Sequence, residues 1–276
     1  MNITHDISPS AYESMTTTEL RRSFLIEDLF AGGQFVWHYW STERTVVGSA
    51  VPTASPLPLP CPKELASGYF AERREIGVIN IGGAGSISVD GQAFAVAKLD
   101  MLYIGRGSKQ VVFSSAKAAE PAQFYIVSYP AHTAYPTTLV TPAQTEKQDL
   151  GSGAEANERT INRAIHEKGV KSCQLVMGFT VLKTGSVWNT MPPHTHLRRS
   201  EVYLYFDMSP NNAVLHLMGR PEATRNIVVH DRKAVLAPPW SIHCGVGTSN
   251  YLFVWAMGGE NQVFADMDAA PVAQLR

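Results

Sequence analysis

The run Met191-Pro-Pro-His194-Thr-His196-Leu-Arg198-Arg199-Ser-Glu201 and the later turn Pro238-Pro-Trp-Ser-Ile-His243 carry three imidazoles and one carboxylate at spacings that suit a metal ion. In an extended chain, side chains alternate between faces, so His194 and His196 aim at one point. A polar stretch then leads into Glu201-Val-Tyr-Leu-Tyr-Phe-Asp207, in which the odd positions are Glu, Tyr, Tyr and Asp and the even ones Val, Leu and Phe. That alternation predicts a strand with one apolar face and one amphipathic face lining a cavity, with Glu201 pointing inward. Neutral imidazoles with a hard carboxylate suit Zn2+, Mn2+, Fe2+ or Ni2+, and this donor set leaves positions open for water or substrate, as catalytic sites do. A His-x-His pair alone is common by chance; its conjunction with Glu201 and His243 makes the pattern specific. Cys244, next to His243, could also touch the metal, although a lone cysteine is more often a small buried hydrophobe.

These residues need a scaffold of strands. Residues 16–30 read as a helix, with a threonine cap ahead of Glu19, apolar Leu20, Phe24, Leu25 and Leu29, and a stop at Gly32-Gly33. From there the text turns β-like, in short strands at 35–40, 45–47, 76–81, 86–89, 94–96, 101–104, 111–113 and 124–128, with a proline-rich loop at 52–62. Gly82-Gly-Ala-Gly-Ser86 lacks a Lys-Ser/Thr ending and a following helix, so it reads as a hairpin turn rather than a phosphate cradle. The expected fold is mainly β: two tandem jelly-roll β-barrel halves with a short N-terminal helix. Residues 1–136 form a barrel without a metal motif, and 137–171 form a polar linker with a helix over 154–167. Residues 172–276 form the metal-binding barrel.

Composition narrows the partners. The chain has 276 residues, 45% hydrophobic and 17% charged, with net charge −1, so it offers no basic field for nucleic acid or an anionic membrane. A small-molecule partner fits better. Cys61, Cys173 and Cys244 are scattered and odd in number, which suits a reducing compartment rather than a disulfide framework. The first residues lack the basic and apolar regions of an export signal, and no run approaches the roughly 18 apolar residues of a membrane span, so the expected location is cytoplasmic.

The His-x-His, Glu and distant His pattern resembles the metal motif of the cupin superfamily. Longer tracts resemble the 5-keto-4-deoxyuronate isomerase family more closely: Leu175-Val-Met-Gly-Phe-Thr180, Trp188-Asn-Thr-Met-Pro-Pro-His-Thr-His196, Met218-Gly-Arg-Pro-Glu-Ala-Thr-Arg225, Trp240-Ser-Ile-His-Cys-Gly-Val-Gly-Thr248 and Gly259-Glu-Asn-Gln-Val-Phe264. In the amino-terminal half, Val78-Ile-Asn-Ile-Gly-Gly-Ala-Gly85, Val89-Asp-Gly91 and Pro130-Ala-His-Thr-Ala-Tyr-Pro136 do the same. The resemblance implies one Zn2+ per subunit, a homo-oligomer that is hexameric by analogy, and a role in pectin breakdown. It also implies conversion of 5-dehydro-4-deoxy-D-glucuronate to 3-deoxy-D-glycero-2,5-hexodiulosonate.

For that reaction, Glu260 and Tyr203 are candidates to move a proton. Arg198, Arg199, Arg220 and Arg225 are candidates to clamp the substrate carboxylate. Two other readings use the same residues. A cupin dioxygenase would hold Fe2+ on the same ligands and consume O2, and a non-catalytic sugar-binding cupin would use any metal only as a brace.

Overall fold

A computed structural model describes residues 1–276. The chain is mainly β and divides into two compact units. The first unit comprises Met1–Thr4, Asp28–Thr145 and Ala164–Val176, and the second comprises His5–Glu27, Glu146–Arg163 and Met177–Arg276.

Each unit is built on one seven-stranded and one four-stranded sheet. In the first, the larger sheet runs Asn2–Thr4, Phe35–Trp40, Thr45–Ala50, Phe124–Pro130, Arg74–Asn80, Met101–Ile104 and Thr138–Val140. The smaller runs Leu57–Pro58, Val111–Ser115, Gly85–Val89 and Gln92–Val96. One apolar cluster joins the two sheets, with Ile76, Val78, Leu102 and Ile126 from the larger meeting Ile87, Val89, Val111 and Phe113 from the smaller. Aromatic rings fill it: Trp37 stacks on Phe35 at 5.3 Å and on Phe70 at 5.0 Å, and Phe113 meets the edge of Phe124 at 5.3 Å. Gly48 makes room for this packing, because a Cβ there would lie 2.2 Å from the Trp37 ring. An interior closed by apolar side chains suits a structural role.

The second unit repeats the arrangement. Its larger sheet runs Glu146–Leu150, Arg159–Ile165, Val176–Leu182, Leu252–Gly259, Arg199–Phe206, Lys233–Ala237 and Leu25–Ile26. Its smaller sheet runs Trp188–Asn189, Ile242–Gly247, Val214–Gly219 and Arg225–Val229. The interior also carries polar rings: buried Tyr203, Tyr205, His216, Tyr251 and Phe253 pack ring to ring there.

Three expectations are corrected. The N-terminal helix spans Thr17–Phe24 rather than running to residue 30; Thr16 and Glu19 form the capping box, as the sequence suggests. It stops because Leu25 and Ile26 pair with Val235 and Ala234, extending the second unit's sheet. A shorter helix, Pro9–Ser14, precedes it. Both helices belong to the second unit: Tyr12 donates to the Met218 carbonyl at 2.9 Å, and Trp240 Nε1 donates to the Ile7 carbonyl at 3.2 Å.

The helix expected over 154–167 is absent. A single 3-10 turn at Gly153–Glu155 leads into the strand Arg159–Ile165, which forms a hairpin with Glu146–Leu150. Thr160, Ile161 and Ile165 are β-branched and favour the extended chain. The stretch expected as a linker therefore supplies strands to both units, which exchange chain segments instead of meeting at one boundary.

Candidate metal centre and cavity

His194, His196, Glu201 and His243 converge in the second unit, with one potential ligand atom from each lying within 4.8 Å of all the others. His194 sits on the two-residue strand His194–Thr195, which is held by Asp268–Ala269. Glu201 lies between Met257 and Ala237 in the middle of the larger sheet. His243 lies opposite Met218 in the smaller sheet, just past a turn closed by the Ser241 N–H donating to the Pro238 carbonyl at 2.9 Å. Ser241 Oγ accepts the Gly219 N–H at 2.9 Å, and this second bond fixes the turn that delivers His243.

The donor atoms crowd each other. His194 Nε2 is 3.0 Å from His196 Nε2 and 3.1 Å from His243 Nε2, and Glu201 Oε2 is 2.8 Å from His243 Nε2 and 3.3 Å from His196 Nε2. Two of the other ring nitrogens are anchored outside the cluster. His196 Nδ1 donates to the Asp266 carbonyl at 2.7 Å, and His243 Nδ1 donates to the Ser241 carbonyl at 3.3 Å. Carbonyl oxygens only accept, so in the neutral rings both Nε2 atoms present lone pairs to the centre. Burial, then the other histidines, pulls His194 down to about 2, and burial also lowers His196. Burial alone would raise the Glu201 carboxyl, but the imidazoles of His243 and His196 beside it, at 2.8 and 3.3 Å, outweigh this and hold it below the usual range. Three buried nitrogens and an ionised carboxylate around one point need a cation to satisfy them, and the set fits a divalent ion. Cys244 stands apart: it follows His243 on the strand, faces the other way with Ile242 and Ala270, and burial pushes its thiol up to about 12.

The cluster opens onto a cavity of about 610 Å3, lined mostly by apolar surface and walled in part by Phe253, Trp255, Met257 and Phe264. Tyr203 lines it too. Its hydroxyl lies 3.0 Å from Thr190 Oγ1 and its ring 5.4 Å from that of His243. Burial, then the Glu201 charge, holds the Tyr203 phenol well above its ordinary value, so at neutral pH it carries its proton.

The other expected residues lie elsewhere. Glu260 is exposed, is not part of the cavity wall, and uses its backbone N–H on the Arg198 carbonyl at 3.0 Å. Arg198 is committed to Asp266, through Nε to both carboxylate oxygens at 2.8 Å, and to Asp268 at 3.0 Å. Arg199, fully buried, donates to the carbonyls of Val263 at 2.8 Å, Phe264 at 3.1 Å and Asp266 at 2.8 Å. Arg220 pairs with Glu13 at 3.6 Å near the N-terminal helices, and Arg225 donates to the Met15 carbonyl at 2.6 Å with its guanidinium 5.8 Å from the Tyr12 ring. None of the four lines the cavity.

Arg198 and Arg199 instead strap the segment 263–269 in place, and that segment supplies Phe264, Ala265, Met267 and Ala269 to the wall and the Asp266 carbonyl to His196. Replacing Arg199 by Met removes three hydrogen bonds from its guanidinium to backbone carbonyls, which should cost about 2–4 kcal/mol of stability and loosen the strap. Thermal denaturation checks the first part, and faster amide exchange over 263–269 the second. An unchanged melting temperature would contradict this role.

Two cavity residues went unrecognised in the sequence: Arg159 and Arg163. They fall in the stretch read as a linker helix, and the only available signal was the alternation Arg-Thr-Ile-Asn-Arg, which places Arg159, Ile161 and Arg163 on one face of a strand.

Comparison with known proteins gives concordant results. The model of the KduI/IolB family matches residues 25–272. A 4-deoxy-L-threo-5-hexosulose-uronate ketol-isomerase from Opitutus terrae is 50% identical over 277 aligned residues, covering 100% of both chains. One of the same name from Kineococcus radiotolerans is 53% identical over 272 residues, covering 98% of each. Among solved structures, an IolB-like protein from Salmonella typhimurium superposes with a TM-score of 0.70 at 14% identity, covering 87% of this chain and 94% of that one, a likeness of fold.

Proposed function

Since the chain belongs to the KduI/IolB family, we propose that it is a metal-dependent ketol-isomerase acting on 4-deoxy-L-threo-5-hexosulose uronate, also called 5-dehydro-4-deoxy-D-glucuronate. The product is 3-deoxy-D-glycero-2,5-hexodiulosonate. The observation that carries this reading is the buried three-imidazole, one-carboxylate cluster at the wall of a cavity, in a chain about half identical, end to end, to relatives bearing that isomerase name.

His194, His196, Glu201 and His243 would hold the ion. A divalent cation there supplies positive charge against the oxygen that becomes anionic during an aldose to ketose shift. The chain's own residues do the rest. Tyr203 holds a proton at its phenol oxygen beside Thr190, on the same wall as Glu201, so it can donate to a substrate oxygen and take the proton back. Phe253, Trp255, Met257 and Phe264 limit water around the reacting carbons, which strengthens every charge interaction inside the cavity. Arg198 and Arg199 hold the 263–269 segment that completes the wall.

The finer features follow from the same reading: Zn2+ as the ion, a homo-oligomer of six subunits, and a cytoplasmic role in the breakdown of pectin-derived uronates. Three free cysteines support a reducing compartment.

The test is anaerobic incubation of metal-analysed protein with the hexosulose uronate, followed by NMR. Ketose should appear without O2. His196→Ala should lose both the metal and the conversion. A metal-loaded wild type that leaves the substrate untouched, or turns it over only with O2, would sink the isomerase reading and favour an Fe2+ oxygenase.

A further inference from the structure

Two cations enter the cavity wall that the metal cluster does not use. Arg159 and Arg163 sit on the strand Arg159–Ile165 with Ile161 between them, and all three line the cavity that also contains His194, His196 and Glu201. Arg163 is tethered: Nη2 meets Glu146 Oε1 at 2.9 Å, and its guanidinium lies 4.8 Å from the centre of the Phe264 ring. Its Nε is buried without a partner. Arg159 meets no carboxylate, and Nη1 donates to the Asn157 carbonyl at 2.8 Å. A guanidinium carries several N–H donors in a fixed fork, so most of those on Arg159 are unspent.

The charge balance of the cavity sharpens the point. Glu201 is its one acidic lining residue and is committed to the histidines, and Glu146 is engaged by Arg163. Arg159 is thus a half-buried cation in a largely apolar cavity, and burial pulls its guanidinium below the usual arginine value. Such a group is costly unless an anion arrives to pair with it. The arginines closer in sequence to the metal motif cannot take this part, since Arg198 and Arg199 are spent on Asp266, Asp268 and backbone carbonyls.

We propose that Arg159 is the anion-recognising group of the cavity and binds the carboxylate of a sugar acid through its free fork, while Arg163, fixed by Glu146 and Phe264, shapes the subsite beside it. The identity of the sugar acid rests on the isomerase reading; the anionic class does not. The carboxylate is bound at the guanidinium while the carbonyl end of the same molecule reaches the metal cluster. Neutral sugars of the same size lose that anchor.

The experiment uses the full-length, metal-loaded protein. Calorimetry compares D-glucuronate with D-glucose on wild type, Arg159→Met and Arg159→Gln, and steady-state kinetics with the hexosulose uronate are run on the same samples. Wild type should bind glucuronate and discriminate against glucose. Both variants should weaken glucuronate at least about tenfold and raise KM by a similar factor, with kcat changed less, as loss of one charge-assisted, bidentate pair predicts. Arg159→Gln is polar and of similar reach, so it decides the matter if Arg159→Met does not fold. Wild type that binds glucuronate no better than glucose, or a folded variant that binds it as wild type does, overturns the subsite. Failure of wild type to isomerise the uronate would overturn the proposed reaction, while the glucuronate and glucose comparison would still decide the role of Arg159.

Discussion

Glu201→Gln should remove about three orders of magnitude or more from kcat/KM, equivalent to about 4 kcal/mol of transition-state stabilisation. The substitution keeps the volume of the side chain and its place opposite Ala237 and Met257, but it removes the one negative charge among the four converging groups. In a buried site that charge attracts a divalent ion far more strongly than it would in water. Its loss should therefore show first as lower metal content after dialysis and only then as lost turnover. A second readout is independent of activity. Metal bound to the folded state alone adds stability by mass action, about 4 kcal/mol at a thousandfold excess over Kd, so wild type should melt higher with metal than after chelation. In Glu201→Gln that increment should shrink or vanish. A variant with full metal content, an unchanged metal-dependent melting shift and normal turnover would show that Glu201 does not hold the ion.

The sequence exposed this cluster because its four residues obey local rules. Alternation aims His194 and His196 at one point, and the Glu201 strand repeats the same period. The proline turn before His243 is visible as punctuation. The arginine-bearing part of the cavity wall was hidden for a physical reason. Arg159-Thr-Ile-Asn-Arg163 follows a glycine-containing polar stretch and shares its composition with exposed linkers, so its charges suggested solvent, whereas hairpin pairing with Glu146–Leu150 turns one face into the cavity.

Proximity in sequence misled in the opposite direction. Arg199 shares the alternation of Glu201 and Tyr203, yet its long side chain is drawn to the carbonyls of residues 263, 264 and 266. Those acceptors lie more than sixty positions away, and no local pattern announces them. The union of His5–Glu27 with the second unit was equally invisible, because it depends on a two-residue strand and on Tyr12 meeting Trp240 at 5.2 Å.

The largest stability effect should come from the first unit, at a residue with no part in the chemistry. Glu75 is completely buried in the strand Arg74–Asn80. One carboxylate oxygen accepts the Gln174 and Leu175 N–H groups, both at 2.9 Å, and the other accepts the Cys173 N–H at 2.7 Å and the Tyr103 hydroxyl at 2.9 Å. Four donors thus end on one side chain, and three of them are backbone N–H groups of successive residues, which nothing but an acceptor of this reach could satisfy together.

Glu75→Ala strands all four donors and opens a cavity, and should cost about 3–5 kcal/mol. Glu75→Gln keeps an acceptor oxygen but turns the other position into a donor facing an N–H, so it should recover only part of the loss. Tyr103→Phe removes one donor and leaves the other three satisfied, and should cost no more than about 1.5 kcal/mol. Urea unfolding of the three variants should therefore rank Ala below Gln and Gln below Phe, with the metal content of each folded variant unchanged. An Ala variant as stable as wild type would mean that residues 173–175 find other acceptors, and the carboxylate would lose its place as the clasp of that segment. If Glu75→Ala lost its metal while remaining folded, the first unit would have to bear on the centre directly, against the purely architectural part its filled apolar core suggests.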